Sequence, residues 1–124
     1  MRLLLDTHVL IWWSTRKPIS ALATEAIRSA VNEVVVSAAS VWEAEIKAAA
    51  GRLRLDADLV REPIEHGFGT LDITAAHAAR AGRLPRHHRD PFDRMLVAQA
   101  QLEGLTIVTR DPVFSRYQVA VLAA

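Results

Sequence analysis

A chain of 124 residues with 51% hydrophobic side chains is sized for a single α/β-type domain spanning residues 1–124 and is too apolar to be disordered. Lys and Arg number 15 against 14 Asp and Glu, so overall charge does not announce a nucleic-acid binder, and any such case rests on local patches. With no Cys, disulfides, thiolate catalysis and Cys-ligated zinc are excluded.

The apolar start, residues 1–13, is interrupted by Asp6 and His8 and lacks a small-residue cleavage site, unlike a signal peptide. No run of about 18 apolar residues offers a membrane-spanning helix. A soluble cytoplasmic protein is expected.

In chain order, residues 3–5 are a short apolar run ending at Asp6, suited to a strand buried on both faces. Residues 7–13 place Val9, Leu10, Trp12 and Trp13 at helical spacings, and Arg16-Lys17-Pro18 breaks the pattern. Ser20 is positioned to cap a second helix whose apolar side carries Leu22, Ala23, Ala26, Ile27 and Ala30. Val34-Val35-Val36 is a β-branched strand. Ser37 then caps a helix bearing Val41, Trp42, Glu43, Ile46 and Lys47, which stops at Gly51.

Residues 56–66 read as weakly helical, with Pro63 inside. Gly67 and Gly69 lead into a third candidate strand over 70–73. Thr74 caps an Ala-rich helix to residue 84, and a polar loop over 85–89 follows. Asp90 sits at the N-cap of the next helix with Pro91 at its first position, Asp93 in its first turn, and Gly104 at its end. Residues 105–108 form another apolar β-branched run closed by Thr109-Arg110-Asp111-Pro112, and residues 117–122 suit a last strand. Short apolar strands alternating with helices predict a three-layer α/β/α fold on a mainly parallel central sheet.

In such sheets ligands collect beyond the carboxyl ends of the strands. Asp6 and Asp111 follow two strands directly, Glu43 lies early in the helix after the second strand, and Asp93 opens the helix that feeds the 105–108 strand. Each acid has a modest local explanation. Asp6, Asp90 and Asp111 could be caps, acids at a helix start favour its dipole, and Glu43 stands four residues before Lys47 in the favoured order for an ion pair. Four acids together repel unless protonated or neutralised, and a hard divalent cation with oxygen ligands answers that need. Arg83, Arg86, His87, His88, Arg89, Arg94 and Arg110 crowd the same region, a basic rim suited to a polyanion. The alternative is a solvated Arg-rich loop. His87 and His88 are discounted as metal ligands, since adjacent side chains point apart.

The stretches Leu5-Asp6-Thr7-His8-Val9-Leu10, Ser37-Ala38-Ala39-Ser40-Val41-Trp42-Glu43, His88-Arg89-Asp90-Pro91-Phe92-Asp93-Arg94 and Val108-Thr109-Arg110-Asp111 resemble the PIN-domain family. They are most similar to the VapC-type toxins of bacterial toxin–antitoxin systems. The resemblance implies a Mg²⁺- or Mn²⁺-dependent ribonuclease that hydrolyses RNA with a metal-activated water, normally homodimeric and silenced by a VapB-type antitoxin. It also implies Asp6, Glu43, Asp93 and Asp111 as catalytic metal ligands, with Asp90 as support or auxiliary ligand. Ser37 and Thr109 are expected to hydrogen-bond the carboxylates, Arg86, Arg89, Arg94 and Arg110 to meet RNA, and Glu45 to be structural. Trp12, Trp13 and Trp42 are either core or part of a partner-binding face. The alternatives are a receiver-like phosphoacceptor signalling domain, which would want an acidic pair after the first strand, and a binding module whose acids are all caps.

Overall fold

Eleven helices and strands follow one another along the chain, and the structure, a computed structural model, describes all residues 1–124. They are β1 (Arg2–Leu5), α1 (Thr7–Ser14), α2 (Ala21–Arg28), β2 (Glu33–Ser37), α3 (Ala38–Ala49), α4 (Arg61–Glu65), β3 (Gly69–Leu71), α5 (Ala75–Arg83), α6 (Pro91–Glu103), β4 (Thr106–Thr109) and β5 (Ala120–Ala123). A 3₁₀ turn over Pro112–Arg116 precedes β5. The strands form one sheet in the order β3-β2-β1-β4-β5, and all four pairings are parallel.

Side-chain alternation along β1 divides the core. Leu3 and Leu5 face a layer with Val9, Leu10 and Ile11 of α1 and Ala23 and Ile27 of α2. Leu4 faces the opposite layer, with Ala81 of α5 and Leu96, Val97 and Ala100 of α6. Strands covered on both faces need no polar side, which is why they read as unbroken apolar runs. No helix is long and apolar enough to cross a membrane.

The strand order decides where a ligand can sit. From β1 the chain builds outward to β2 and β3 on one side and to β4 and β5 on the other, so the order reverses between β1 and β4. After β1 the chain enters α1 on one face, whereas after β4 it enters the 3₁₀ turn, whose Phe114 packs on the other. That divergence opens a crevice at the carboxyl ends of these two strands. It also overturns the receiver-like alternative. A doubly wound signalling domain has the order 2-1-3-4-5, whereas here β3 lies at the edge and β4 neighbours β1.

Four boundaries differ from the sequence expectation. The third strand is Gly69–Leu71 rather than 70–73, because Gly69 itself pairs with Val35. A Cβ at Gly69 would meet Val35 Cγ1 at 3.3 Å, so this strand starts on the glycine that the pattern treats as a lead-in. The weak helix over 56–66 shrinks to α4, since the Asp58 carboxylate accepts from the N–H groups of Val60 and Arg61 and delays its start. The last strand begins at Ala120, because Tyr117 is held in the core. Leu22, expected on the inner side of α2, is 64% exposed, and α2 ends at Arg28.

Candidate active site

Asp6 lies at the end of β1, buried in the crevice between β1 and β4. One carboxylate oxygen accepts the Val9 N–H at 2.8 Å and so caps α1. The other accepts the hydroxyl of Thr109, the last residue of β4. Thr109 Oγ1 in turn accepts the Asp111 N–H at 3.0 Å, which ties the acids of the two strands together. Asp111 caps the 3₁₀ turn through Val113 N–H at 2.9 Å. Glu43 stands on the second turn of α3, only 4% exposed. Its Oε2 pairs with Lys47 at 2.8 Å, and its Oε1 is buried with no hydrogen-bond partner.

Asp93 opens α6 behind the cap that Asp90 supplies by accepting from the N–H groups of Phe92 and Asp93. Asp93 Oδ2 lies 2.6 Å from Nε2 of His88, and the same nitrogen is 3.9 Å from Asp111 Oδ2. The donor atoms of His88, Asp93 and Asp111 all lie within 4.8 Å of one another.

Every local explanation that the sequence allowed is realised here: three caps and one i,i+4 ion pair. Two of the acids nevertheless keep free acceptor capacity, since Glu43 has an unpartnered oxygen and Asp93 bonds through Oδ2 alone, whereas both oxygens of Asp6 already accept a hydrogen bond. Burial raises the Asp6 carboxyl above its ordinary value, opposed by the Thr109 and Val9 hydrogen bonds and by His8, and reinforced by the charge of Asp111. Burial, then the charge of Asp90, pushes Asp93 up to about 7, with Glu43 adding to the rise and His88 opposing it. Asp6 therefore feels Asp111, and Asp93 feels Glu43 and Asp90. A group of mutually repelling oxygens, buried at Asp6 and Glu43 and open to solvent at Asp111, with one oxygen lacking a partner, is the donor set that a hard divalent cation fits.

The remaining expectations divide. Ser37 touches no carboxylate: its hydroxyl donates to Gln99 Oε1 at 2.6 Å and accepts from Ala39 N–H, capping α3. Arg94, assigned to RNA, is instead a structural clamp. Nη2 donates to the carbonyls of Ala81 at 2.8 Å and Leu84 at 3.0 Å, and Nη1 donates to Pro85 at 3.0 Å and His88 at 3.3 Å. Four carbonyls consume the fork that a phosphate would need. Arg94→Ala is accordingly expected to destabilise the fold by about 2–3 kcal/mol, read as a lower midpoint in urea unfolding. Arg110 stacks over Trp12 at 4.2 Å and reaches the carbonyls of Pro18 and Ala124 at 3.3 Å, while Arg86 and Arg89 are exposed. Trp12 and Trp13 are partly buried against the core. Trp42 is 60% exposed and meets Phe92 edge to face at 5.2 Å, beside Glu43 and Asp93.

Two residues escaped the sequence reading. The sequence alone gives no reason to prefer His88 over His87, since neighbouring side chains diverge. They do diverge, with His87 lying against Tyr117, but divergence leaves one of the pair free to turn inward. The sequence pattern marks Tyr117 only as the start of a strand. Its hydroxyl in fact accepts His88 N–H at 2.9 Å and donates to the Pro85 carbonyl at 3.0 Å.

Comparison with known proteins agrees with this architecture. The PIN domain family matches residues 3–120. Ribonuclease VapC22 of Mycobacterium tuberculosis is 36% identical over 113 residues, covering 87% of this chain and 85% of that protein. Among solved structures, VapBC2 from Rickettsia felis bound to a DNA fragment from its promoter superposes with a TM-score of 0.74 at 15% identity, covering 99% of this chain and 98% of that one. DNA-bound VapBC from Salmonella typhimurium gives 0.69 at 18% identity, with coverage of 99% and 98%. At these identities the two structures speak for the fold alone, whereas the family match and the 36% relative speak for descent. The chain belongs to the PIN domain family, on its VapC-type branch.

Proposed function

We propose that the chain is a Mg²⁺- or Mn²⁺-dependent endoribonuclease toxin that hydrolyses RNA phosphodiesters and is silenced by a VapB-type antitoxin. The observation that carries this reading is a buried Glu43 oxygen that nothing in the chain satisfies, within electrostatic reach of Asp93, with Asp93 Oδ2 and Asp111 Oδ2 converging on the same nitrogen of His88 at 2.6 and 3.9 Å. The relative named as a ribonuclease supports the substrate class.

Asp6 and Asp93 would hold the ion with help from Asp111, and Glu43 would orient water through Oε1. Asp90 contributes by fixing the N-terminus of α6, from which Asp93 projects. When bound, a divalent cation supplies acidified water and offsets charge on the phosphoryl oxygens. Water adds its oxygen to phosphorus as the bond to the leaving ribose oxygen breaks, so no Ser or His nucleophile is required. Arg86, Arg89 and Arg110, all exposed, would meet the flanking phosphates of the strand.

Purified protein is expected to cut RNA with Mg²⁺ or Mn²⁺ present and to stop when EDTA is added. Intact RNA under both conditions refutes the reading. The antitoxin partner is supported by the VapBC complexes among the solved relatives. A homodimer is part of the same proposal: exposed Trp42 and Ile46, at 60% and 44%, leave apolar surface on α3 for a second copy. Light scattering at twice the chain mass checks it.

A further inference from the structure

The loop between α5 and α6 is held far more tightly than a surface connection needs to be. Pro85 O accepts from both Tyr117 Oη, at 3.0 Å, and Arg94 Nη1, at 3.0 Å. His88 is gripped at both backbone groups: its N–H donates to Tyr117 Oη at 2.9 Å, and its carbonyl accepts from Arg94 Nη1 at 3.3 Å. The His88 ring lies edge-on to the buried Phe114.

The ring's own hydrogen bonds decide its chemistry. Nδ1 accepts the Asp90 N–H at 3.3 Å, so the proton of a neutral imidazole sits on Nε2. Nε2 therefore donates to Asp93 Oδ2 at 2.6 Å. A nitrogen that carries a proton has no lone pair to offer a metal.

We propose that His88 is a positioning residue for Asp93 rather than a metal ligand. Tyr117 and Arg94 fix the loop, the Asp90 amide fixes the tautomer, and the Nε2–H holds Oδ2, which would leave Oδ1 free for the ion. This inference rests on the metal-dependent reading above and assigns roles to four residues outside the four acids, namely His88, Tyr117, Arg94 and Asp90. Partners that orient ligating groups in this way commonly change metal affinity by 10–100-fold when removed.

The test is Mn²⁺ binding to the metal-free protein by calorimetry, together with electron spin-echo modulation of the bound Mn²⁺, neither of which needs RNA. His88→Gln keeps an N–H near the Nε2 position, and His88→Leu removes it. We expect His88→Leu to weaken Mn²⁺ binding by about 10–100-fold and His88→Gln to stay within about threefold of wild type, with no imidazole nitrogen coupled to the ion in wild type. Nitrogen coupling in wild type, or wild-type affinity in His88→Leu, overturns the proposal. Should His88→Leu not fold, His88→Asn, whose amide stops short of Asp93, takes its place under the same criteria. Wild-type protein that binds no Mn²⁺ overturns the metal-dependent reading itself, whereas a bound ion indifferent to His88 overturns only this inference.

Discussion

Asp93→Asn is expected to lower kcat/KM on RNA by about a thousandfold or more while raising the melting temperature of the metal-free protein at pH 8. The first half follows from losing a charged ligand where a divalent cation supplies several kcal/mol of charge stabilisation, at about 1.4 kcal/mol per decade of rate. The second half follows from burial. The Asp93 side chain is 19% exposed, beside Asp90 and Glu43, and its carboxyl is pushed up to about 7. At pH 8 the fold thus holds an anion that it disfavours. Asparagine keeps the shape, can still accept from His88 Nε2–H, and removes the charge. A residue that served only to start a helix would behave oppositely, because losing an acid from the first turn costs a few tenths to about 1 kcal/mol. Retained cleavage, or a lower melting temperature, would sink the assignment of Asp93 as ligand.

The same shift makes stability depend on pH in a direction unusual for a carboxylate. Below about pH 4 both folded and unfolded chains keep the Asp93 proton, and the shift has no effect. Between its ordinary 3.8 and about 7, the unfolded chain releases the proton while the fold retains it. Stability then falls by up to about 1.4 kcal/mol per pH unit and levels off above pH 7. The raised Asp6 carboxyl acts in the same sense. Asp58, lowered by the Arg61 and Val60 amides, acts in the opposite sense, but only as pH drops toward its own low value. Metal-free protein is therefore expected to melt about 10 °C lower at pH 8 than at pH 5. Mn²⁺ at a hundred times its Kd returns about 2.7 kcal/mol at pH 8. Scanning calorimetry across this range checks both, and a melting temperature that climbs from pH 5 to pH 8 without metal refutes the account.

How much of this could be read without coordinates depends on which physical signal each residue carries. Asp6 and Asp111 were legible because each follows an apolar run, and strand ends in a parallel sheet gather at one edge. The layer assignment was legible from the unbroken apolar strands. Gly69 misled because glycine ordinarily weakens a strand, and only the close approach of Val35 makes it suitable there. Arg94 misled because an Arg-rich stretch does not reveal whether a guanidinium will meet phosphate or backbone carbonyl. Counting its contacts with the end of α5 requires the fold. Ser37 was rightly placed as a cap, but its hydroxyl proton goes to Gln99, 62 residues away. His88 lay beyond reach for a similar reason: its backbone N–H is held by Tyr117, 29 residues further on.

The central strand comes first in the chain but is flanked on one side by a strand made near the end. Asp6 and Thr109, joined through their side chains, are 103 residues apart. During translation the edge of β1 that faces β4 thus stays unpaired until Thr106–Thr109 has been made. A truncated product lacking β4 would have neither the hydroxyl that holds Asp6 nor the aspartate that follows. Such a chain would bring Asp6 to the sheet edge without the partner that holds it or the second acid beside it.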